Sequence, residues 1–245
     1  MKNLVVEILN QTASFRNPDF QNFHKSLDLP PPTTVVGLAG AALGLSPLQA
    51  QEFFESTDLK IGVYGMYAGK CSDTWKYNKE IRDMRTYNPG KDGSIIQKEH
   101  LINSRFIIAF SNESPDVILR LYEAFRNPTY ALTMGNSDAL AFVKNIETDL
   151  PNQTSYEVEN CLLKGDVIDN VISLASEKLE FSIYNTSEPL TYDLPVKFHY
   201  ANDYGRRTVS QIGTFSMIGK KMTLNYAVEG LMYKDTFVPL INFYD

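Results

Sequence analysis

The sequence predicts an α+β protein, and three observations carry that expectation. Asn3 to Leu9 alternates and is rich in Val, Ile and Leu, which reads as a buried first strand. Two helical segments each lie between apolar strands, the first built on small residues after Pro30–Pro32 and the second an amphipathic run after Ser114. After Pro151 the texture changes to short alternating segments. The resulting order, β-α-β-(insertion)-β-α-β, is the ferredoxin-like (RRM-like) split arrangement shared by RNA-recognition folds. It places one domain at 1–150, with an insertion at about 68–100, and a small β-rich domain at 151–245.

Element by element, Gln11 to Leu29 is polar and aromatic and reads as a long loop carrying Phe15, Arg16, Phe20 and Phe23. The helix after the prolines runs to about Gly44, and Ser46-Pro47 opens a second one from Leu48 to Glu55. Asp58 to Met66 is the second strand and Leu101 to Phe110 the third. The residues between them, with Trp75, Tyr77, Tyr87 and the turn Asn88-Pro89-Gly90, are too many for an ordinary hairpin loop, which marks them as functional. Ser114-Pro115-Asp116 caps a helix whose Val117, Ile118, Leu121, Tyr122 and Phe125 share a face. Met134 to Asp138 is a glycine turn before a fourth strand, Ala139 to Ile146. Leu179 to Tyr184, Val196 to Tyr200, Gly213 to Ile218 and Met222 to Val228 are the later strands.

A chain of 245 residues that is 43% hydrophobic can bury a full core without a disulfide or metal. Its two cysteines, Cys71 and Cys161, exclude a four-cysteine zinc site, and His24, His100 and His199 show no ligand spacing. Met1 to Asn10 is too short and too polar for a signal peptide, and no apolar run approaches a membrane span, so the expected location is the cytoplasm. The net charge of −6 argues against a free-standing, non-specific nucleic-acid binder. Lys70 to Arg105, however, carries +3 and leaves −9 for the rest. A basic segment on an acidic body suits a protein that grips a polyanion in one place and meets protein partners elsewhere, although a solvated charged loop has the same signature.

The most informative stretch is P-P-P-T-T-V-V-G-L-A-G-A-A-L-G, Pro30 to Gly44. The prolines hold the chain extended, and Thr33 or Thr34 can accept a hydrogen bond from the first free helix N–H groups, leaving a partly positive patch suited to an anion. Gly37, Gly40 and Gly44 leave one helix face almost bare, so that a backbone or a nucleic-acid strand can approach it. A capped helix packed tightly on a sheet accounts for the same spacing. Gly69-Lys70-Cys71-Ser72 lacks the upstream glycine and residue order of a phosphate-binding loop, which excludes nucleotide hydrolysis of that kind.

Phe15-Arg16-Asn17-Pro18, the proline-threonine-glycine block, the strand pair flanking a long basic insertion, and T-M-G-N-S-D before the fourth strand together resemble the fifth family of CRISPR-associated (Cas) proteins. These are RAMP-superfamily subunits of the type I Cascade complex, and the likeness, strongest over residues 1–146, is to the type I-B variety. The resemblance implies a ferredoxin-like domain whose insertion forms a thumb. It also implies a non-catalytic subunit that caps the 5′ handle of the crRNA for antiviral defence, beside the large subunit and the first backbone subunit, with target DNA in the same complex and no cofactor, metal or membrane. In the type I-C variety the corresponding protein is a metal-independent ribonuclease that uses a tyrosine with adjacent lysine and histidine. The match here is Lys98-Glu99-His100, where a glutamate splits the pair. The alternative function is therefore an endoribonuclease acting on repeat RNA, with His100 as general acid or base, Lys98 as charge stabiliser, and Tyr64, Tyr67 and Tyr87 as possible partners.

RNA handles are held by cations, glycine-turn N–H groups and stacked planar side chains. With the resemblance, the RNA-binding candidates are Arg16, the helix start at Thr33, Thr34, Gly37 and Gly40, the insertion residues Arg82, Arg85 and Tyr87, and the turn Met134, Gly135, Asn136 and Ser137. Arg206-Arg207 is a further pair of cations with nucleic acid or the large subunit as its candidate contact.

Overall fold

β1 (Asn3–Ala13) sets the frame because its alternation is buried on both faces: Leu4, Val6 and Ile8 join one core and Val5 another. The computed structural model describes residues 2–20, 23–78, 93–174, 189–203 and 206–244. After β1 come the two-residue strands β2 (Phe15–Arg16), β3 (Phe23–His24) and β4 (Ser26–Leu27), then α1 (Pro32–Leu43), α2 (Pro47–Thr57) and β5 (Lys60–Met66). β6 (Gly69–Asn78), β7 (Gly93–Ser111), α3 (Pro115–Arg126) and β8 (Phe142–Thr148) follow. β9 (Asn152–Val158), β10 (Cys161–Lys164), a single 3-10 turn, β11 (Val171–Leu174), β12 (Leu190–Tyr200), β13 (Arg207–Ile218), β14 (Met222–Tyr233) and β15 (Thr236–Pro239) complete the chain.

Most of the described residues are in strands, and three α-helices accompany them. β8, β1, β7 and β5 lie side by side in that order, each antiparallel to the next. α1 and α2 connect β1 to β5 and α3 connects β7 to β8, and the helices cover one face, where Phe54, Phe110, Ile118, Leu121 and Phe125 pack together. β10, β13 and β12 carry this sheet beyond β5, while β9, β11, β14 and β15 form a second, four-stranded sheet. The second sheet covers part of the opposite face, through Leu231, Tyr233 and Val238 packed on Val5, Tyr64 and Ile107. Buried amides lock these layers: Asn3 exchanges two hydrogen bonds with the backbone of Leu150, and Gln51 two with that of Phe198.

Several segments differ from the sequence reading. The loop expected from Gln11 to Leu29 contains the end of β1 and the three short strands, because β3 adds in parallel to β7 and β2 pairs with β4. The third strand is nearly twice as long as expected: β7 starts at Gly93, so the described part of the insertion is a hairpin whose second arm is that strand. Neither Thr33 nor Thr34 caps α1. Pro31 is the N-cap with no side-chain bond, and its carbonyl accepts the Thr34 and Val35 N–H groups. Ser114 likewise makes no side-chain cap on α3, whereas Ser46 and Gln49 form a full capping box on α2. Arg82, Arg85, Tyr87 and the strand expected at 179–184 lie outside the described residues. Among the described residues, no single helix is long and apolar enough to cross a membrane.

Packing or backbone geometry requires two of the three glycines of this segment. Gly44 ends α1 in the left-handed region, at φ 74°. A Cβ on Gly40 would lie 2.6 Å from that of Ala50, so this glycine sets the close approach of α1 to α2. At Gly37 an added Cβ meets nothing within 4 Å. Gly40→Leu should therefore cost about 1–3 kcal/mol through overpacking, and Gly37→Ala should raise stability by up to about 1 kcal/mol through helix propensity, as measured by denaturant unfolding.

Candidate nucleic-acid interface

β7 passes through the site, and its alternation divides Lys98, Glu99 and His100 between two faces. Leu101 is in the helix-side core, so Lys98 and His100 turn to the opposite side of the sheet. There β6 places Asp73 opposite Lys98 and Cys71 opposite His100, while β3 places His24 opposite Lys98 from the other flank. The Lys98 ammonium sits 3.9 Å from the centre of the Trp75 ring, and the indole N–H donates to Asp73 at 2.8 Å. The His100 ring is 6.2 Å from that of Trp75. Both His100 nitrogens are buried and without a hydrogen-bond partner among the described residues.

Glu99 takes the other face and works as a fastener. Its carboxylate accepts the Ser26 N–H at 3.0 Å and pairs with Lys70 at 3.6 Å, and its carbonyl accepts the Ser14 hydroxyl at 2.8 Å. Lys70 also pairs with Asp28, whose carboxylate accepts the Tyr67 hydroxyl. The glutamate between Lys98 and His100 thus ties β4 and β6 to β7.

Electrostatics identify the members of the cluster. Burial lowers the pKa of His100, and the charge of Lys98 lowers it further, against Asp138 and Asp73. Lys98 is lowered by burial, with Asp138 and Asp73 opposing. His24 is lowered by burial, then by Arg16 and Lys98. Arg16, His24, Lys98 and His100 therefore share one region, with Asp73 and Asp138 as its acids. An anion bound beside Lys98 would favour the protonated forms of these groups and offset the burial that disfavours them.

The sequence candidates divide between this region and a neighbouring groove. Arg16 is exposed on β2 while Phe15 beside it is buried, and Arg16 lines a hollow with Pro31, Thr33 and Phe198. Thr33 continues into a groove of about 330 Å³ with Gly37, Gly40, Tyr200, Arg207 and Tyr244. The Arg207 guanidinium lies 4.3 Å from the Phe198 ring centre in this groove. Thr34 is half-buried in the first turn of α1. In the glycine turn Met134 cannot reach a ligand: its side chain is fully buried, its N–H donates to the Ala139 carbonyl, and its carbonyl accepts from Ser14. Gly135, at φ 93°, has no room for a Cβ against the Ser14 carbonyl. Asn136 is half-buried, Ser137 is exposed, and the turn brings Asp138 toward Lys98 and His100. His24 and Phe198 escaped the sequence reading because the two-residue strand β3 and the clamp from Gln51 leave no local signal.

A family model described as CRISPR-associated protein (Cas_Cas5) matches residues 4–210, and the chain belongs to that family. Among solved structures, a chain described as a CRISPR RNA-guided surveillance complex is 10% identical, with a TM-score of 0.55 over 90% of this chain and 91% of that one. A CRISPR protein from Archaeoglobus fulgidus is 8% identical, with a TM-score of 0.50 over 98% of this chain and 100% of that one. At these identities the likeness is one of fold. No curated protein sequence matches the chain.

The two lowered histidines predict a pH dependence. Between its folded and its unfolded pKa, near 6.5, each histidine binds more protons in the unfolded state. Stability should therefore be fully present above about pH 6.5 and fall as the pH drops below it. His100→Gln should make the decline in melting temperature between about pH 7 and 5.5 shallower. An unchanged decline would show that His100 titrates alike in both states.

Proposed function

We propose that this chain is a non-catalytic subunit of a CRISPR RNA-guided effector complex, working in the cytoplasm and holding the 5′ handle of the crRNA. We read the order β8-β1-β7-β5, with helices on one face, as ferredoxin-like. The observation that carries the functional reading is the convergence of Arg16, His24, Lys98 and His100 beside an exposed indole, on a chain of net charge −6. A local cationic site with one aromatic plane can take a phosphate and an unstacked base from a short strand. An acidic chain elsewhere disfavours indiscriminate binding. The adjoining groove, with Thr33, Gly37, Phe198 and Arg207, extends the candidate surface along α1, and the large subunit and first backbone subunit are the proposed neighbours.

The non-catalytic choice is supported by the surroundings of Lys98 and His100. Catalysis by an acid and a base needs them within reach of the attacking hydroxyl and the leaving oxygen. Here Trp75 lies over the ammonium, and His100 is only 6% exposed. Tyr67 is bound to Asp28 on the Glu99 face, and Tyr64 is 5% exposed in the core under the second sheet. Tyr87 lies outside the described residues. The second reading, an endoribonuclease, rests on the unpartnered imidazole of His100.

Two measurements test this. In complexes co-purified with the neighbouring subunits, Arg16→Ala with Lys98→Ala should lower crRNA occupancy several-fold while the chain melts near the parent temperature, and unchanged occupancy would overturn the site. The pure protein incubated with its repeat RNA in chelator should leave it intact. Specific cleavage abolished by His100→Ala would replace the proposal by the ribonuclease reading.

A further inference from the structure

The side of the sheet opposite the helices is only partly covered. Val5, Tyr64 and Ile107 lie beneath the second sheet, but the next row is open. Register places Leu9 of β1 opposite Arg105 of β7 and Phe142 of β8, and Arg105 opposite Met66 of β5. Phe142 is 66% exposed and Met66 43%. Leu9, Arg105 and Phe142, with Gln11, Asn103 and Leu140, border a hollow of about 390 Å³. Large apolar side chains grouped on an uncovered sheet mark a contact surface rather than scatter.

The charge beside this row identifies the occupant. Glu7 is 1% exposed, and its carboxylate accepts Arg105 Nε at 2.8 Å and the Tyr233 hydroxyl at 2.7 Å. Lys144 and Lys234 lie 3.8 and 3.3 Å from it. Asn145 donates to the Tyr233 hydroxyl at 2.9 Å, which fixes the acceptor geometry from behind. One buried carboxylate thus anchors three cations whose side chains remain 30%, 53% and 56% exposed for Arg105, Lys144 and Lys234. Positioned cations in excess of their carboxylate, next to an exposed ring and the amides of Gln11 and Asn103, match a phosphodiester strand with an unstacked base. An apolar protein segment would leave those charges unmatched.

We infer that Phe142, Arg105, Lys144 and Lys234 form a second binding site for single-stranded RNA, in which Phe142 stacks on a base and the cations hold phosphates. Lys98 and His100 face the same side of the sheet, and the stretch of β7 from His100 to Ile107 spans about 23 Å. A short strand can therefore pass from the first site to the second. The inference rests on the reading that the chain binds RNA, but uses none of the residues assigned to the first site.

The test uses the full chain and a fluorescent, unstructured decamer of RNA containing 4-thiouridine, at low salt. Phe142→Ala should weaken binding by about tenfold and remove photocrosslinks to the peptide carrying residue 142. Lys144→Ala with Lys234→Ala should reduce the slope of log affinity on log salt by about 1.4, at about 0.7 per phosphate contact on a single strand. Phe142→Ala removes an exposed ring and should melt near the parent temperature, whereas the lysine pair takes two cations from the buried Glu7 carboxylate, so its binding is compared below its own, lowered melting temperature. Unchanged affinity and slope in both would overturn the inference, as would tighter binding of the matching DNA decamer. It also falls if Phe142→Ala leaves RNA binding intact and instead strips a protein subunit from the reconstituted complex. Sensitivity to Arg16→Ala with Lys98→Ala, but not to the Phe142 and lysine variants, would leave the handle site standing and remove only this one. The reverse pattern would remove the handle site and keep this one.

Discussion

The backbone pairing of β7 is the constraint on which the rest of the structure depends. Its nineteen residues hydrogen-bond to β1 and β5 in the body of the sheet and to β3 and β6 in its projecting part. A strand that long must serve two environments. At one end Phe106, Ile108 and Phe110 fill the helix-side core, and at the other Lys98 and His100 stand between a hairpin arm and a two-residue strand. Asn103, in the left-handed region at φ 48°, sits between these parts, and around it the inward-facing set changes from even to odd residues. That change of phase turns Lys98 and His100 to the face away from the helices, where both stay buried beside Trp75, while Leu101 closes the core.

Charge on this sheet is held in place by burial. Burial alone would raise the pKa of Glu7, yet hydrogen bonds from Arg105, Tyr233 and Lys234, with the charge of Arg105, outweigh it and hold it at about 2. Glu7 is ionised throughout the ordinary pH range and the cations around it keep a fixed arrangement. Glu99 plays the complementary part on the opposite face, where it joins Lys70 and the Ser26 backbone. Both carboxylates stabilise a surface next to them more than they take part in it. Removing the cations around Glu7 would leave a buried carboxylate without its partners, the costly half of breaking an ion pair.

Tight packing explains the motif residues. Gly40 and Ala50 let two helices meet, and Gly135 lets its turn meet Ser14. These contacts make the P-T-G block and the glycine turn parts of the framework that carries Arg16, Thr33 and Asp138 to the surface. The chain belongs to the Cas_Cas5 family and shares its fold with a surveillance-complex chain at 10% identity.

Several features were written in the sequence itself, because local physics fixes them. Period-two alternation set β1, proline and capping residues set the starts of α1 and α2, and a 3.6-residue apolar stripe set α3. The excess of cations between Lys70 and Arg105, and the interest of Arg16, Lys98 and His100, were also legible there. Only the tertiary structure decided that β3 would lay His24 beside Lys98, that Gln51 would pin Phe198 next to α1, and that Glu7 would gather Arg105, Lys144 and Lys234 from two strands and a turn. The reason is physical: a strand carries its side-chain alternation in its own residues, but its neighbours are chosen by which distant edges find hydrogen-bond partners and which faces find cover. The sites of this protein lie at such meetings.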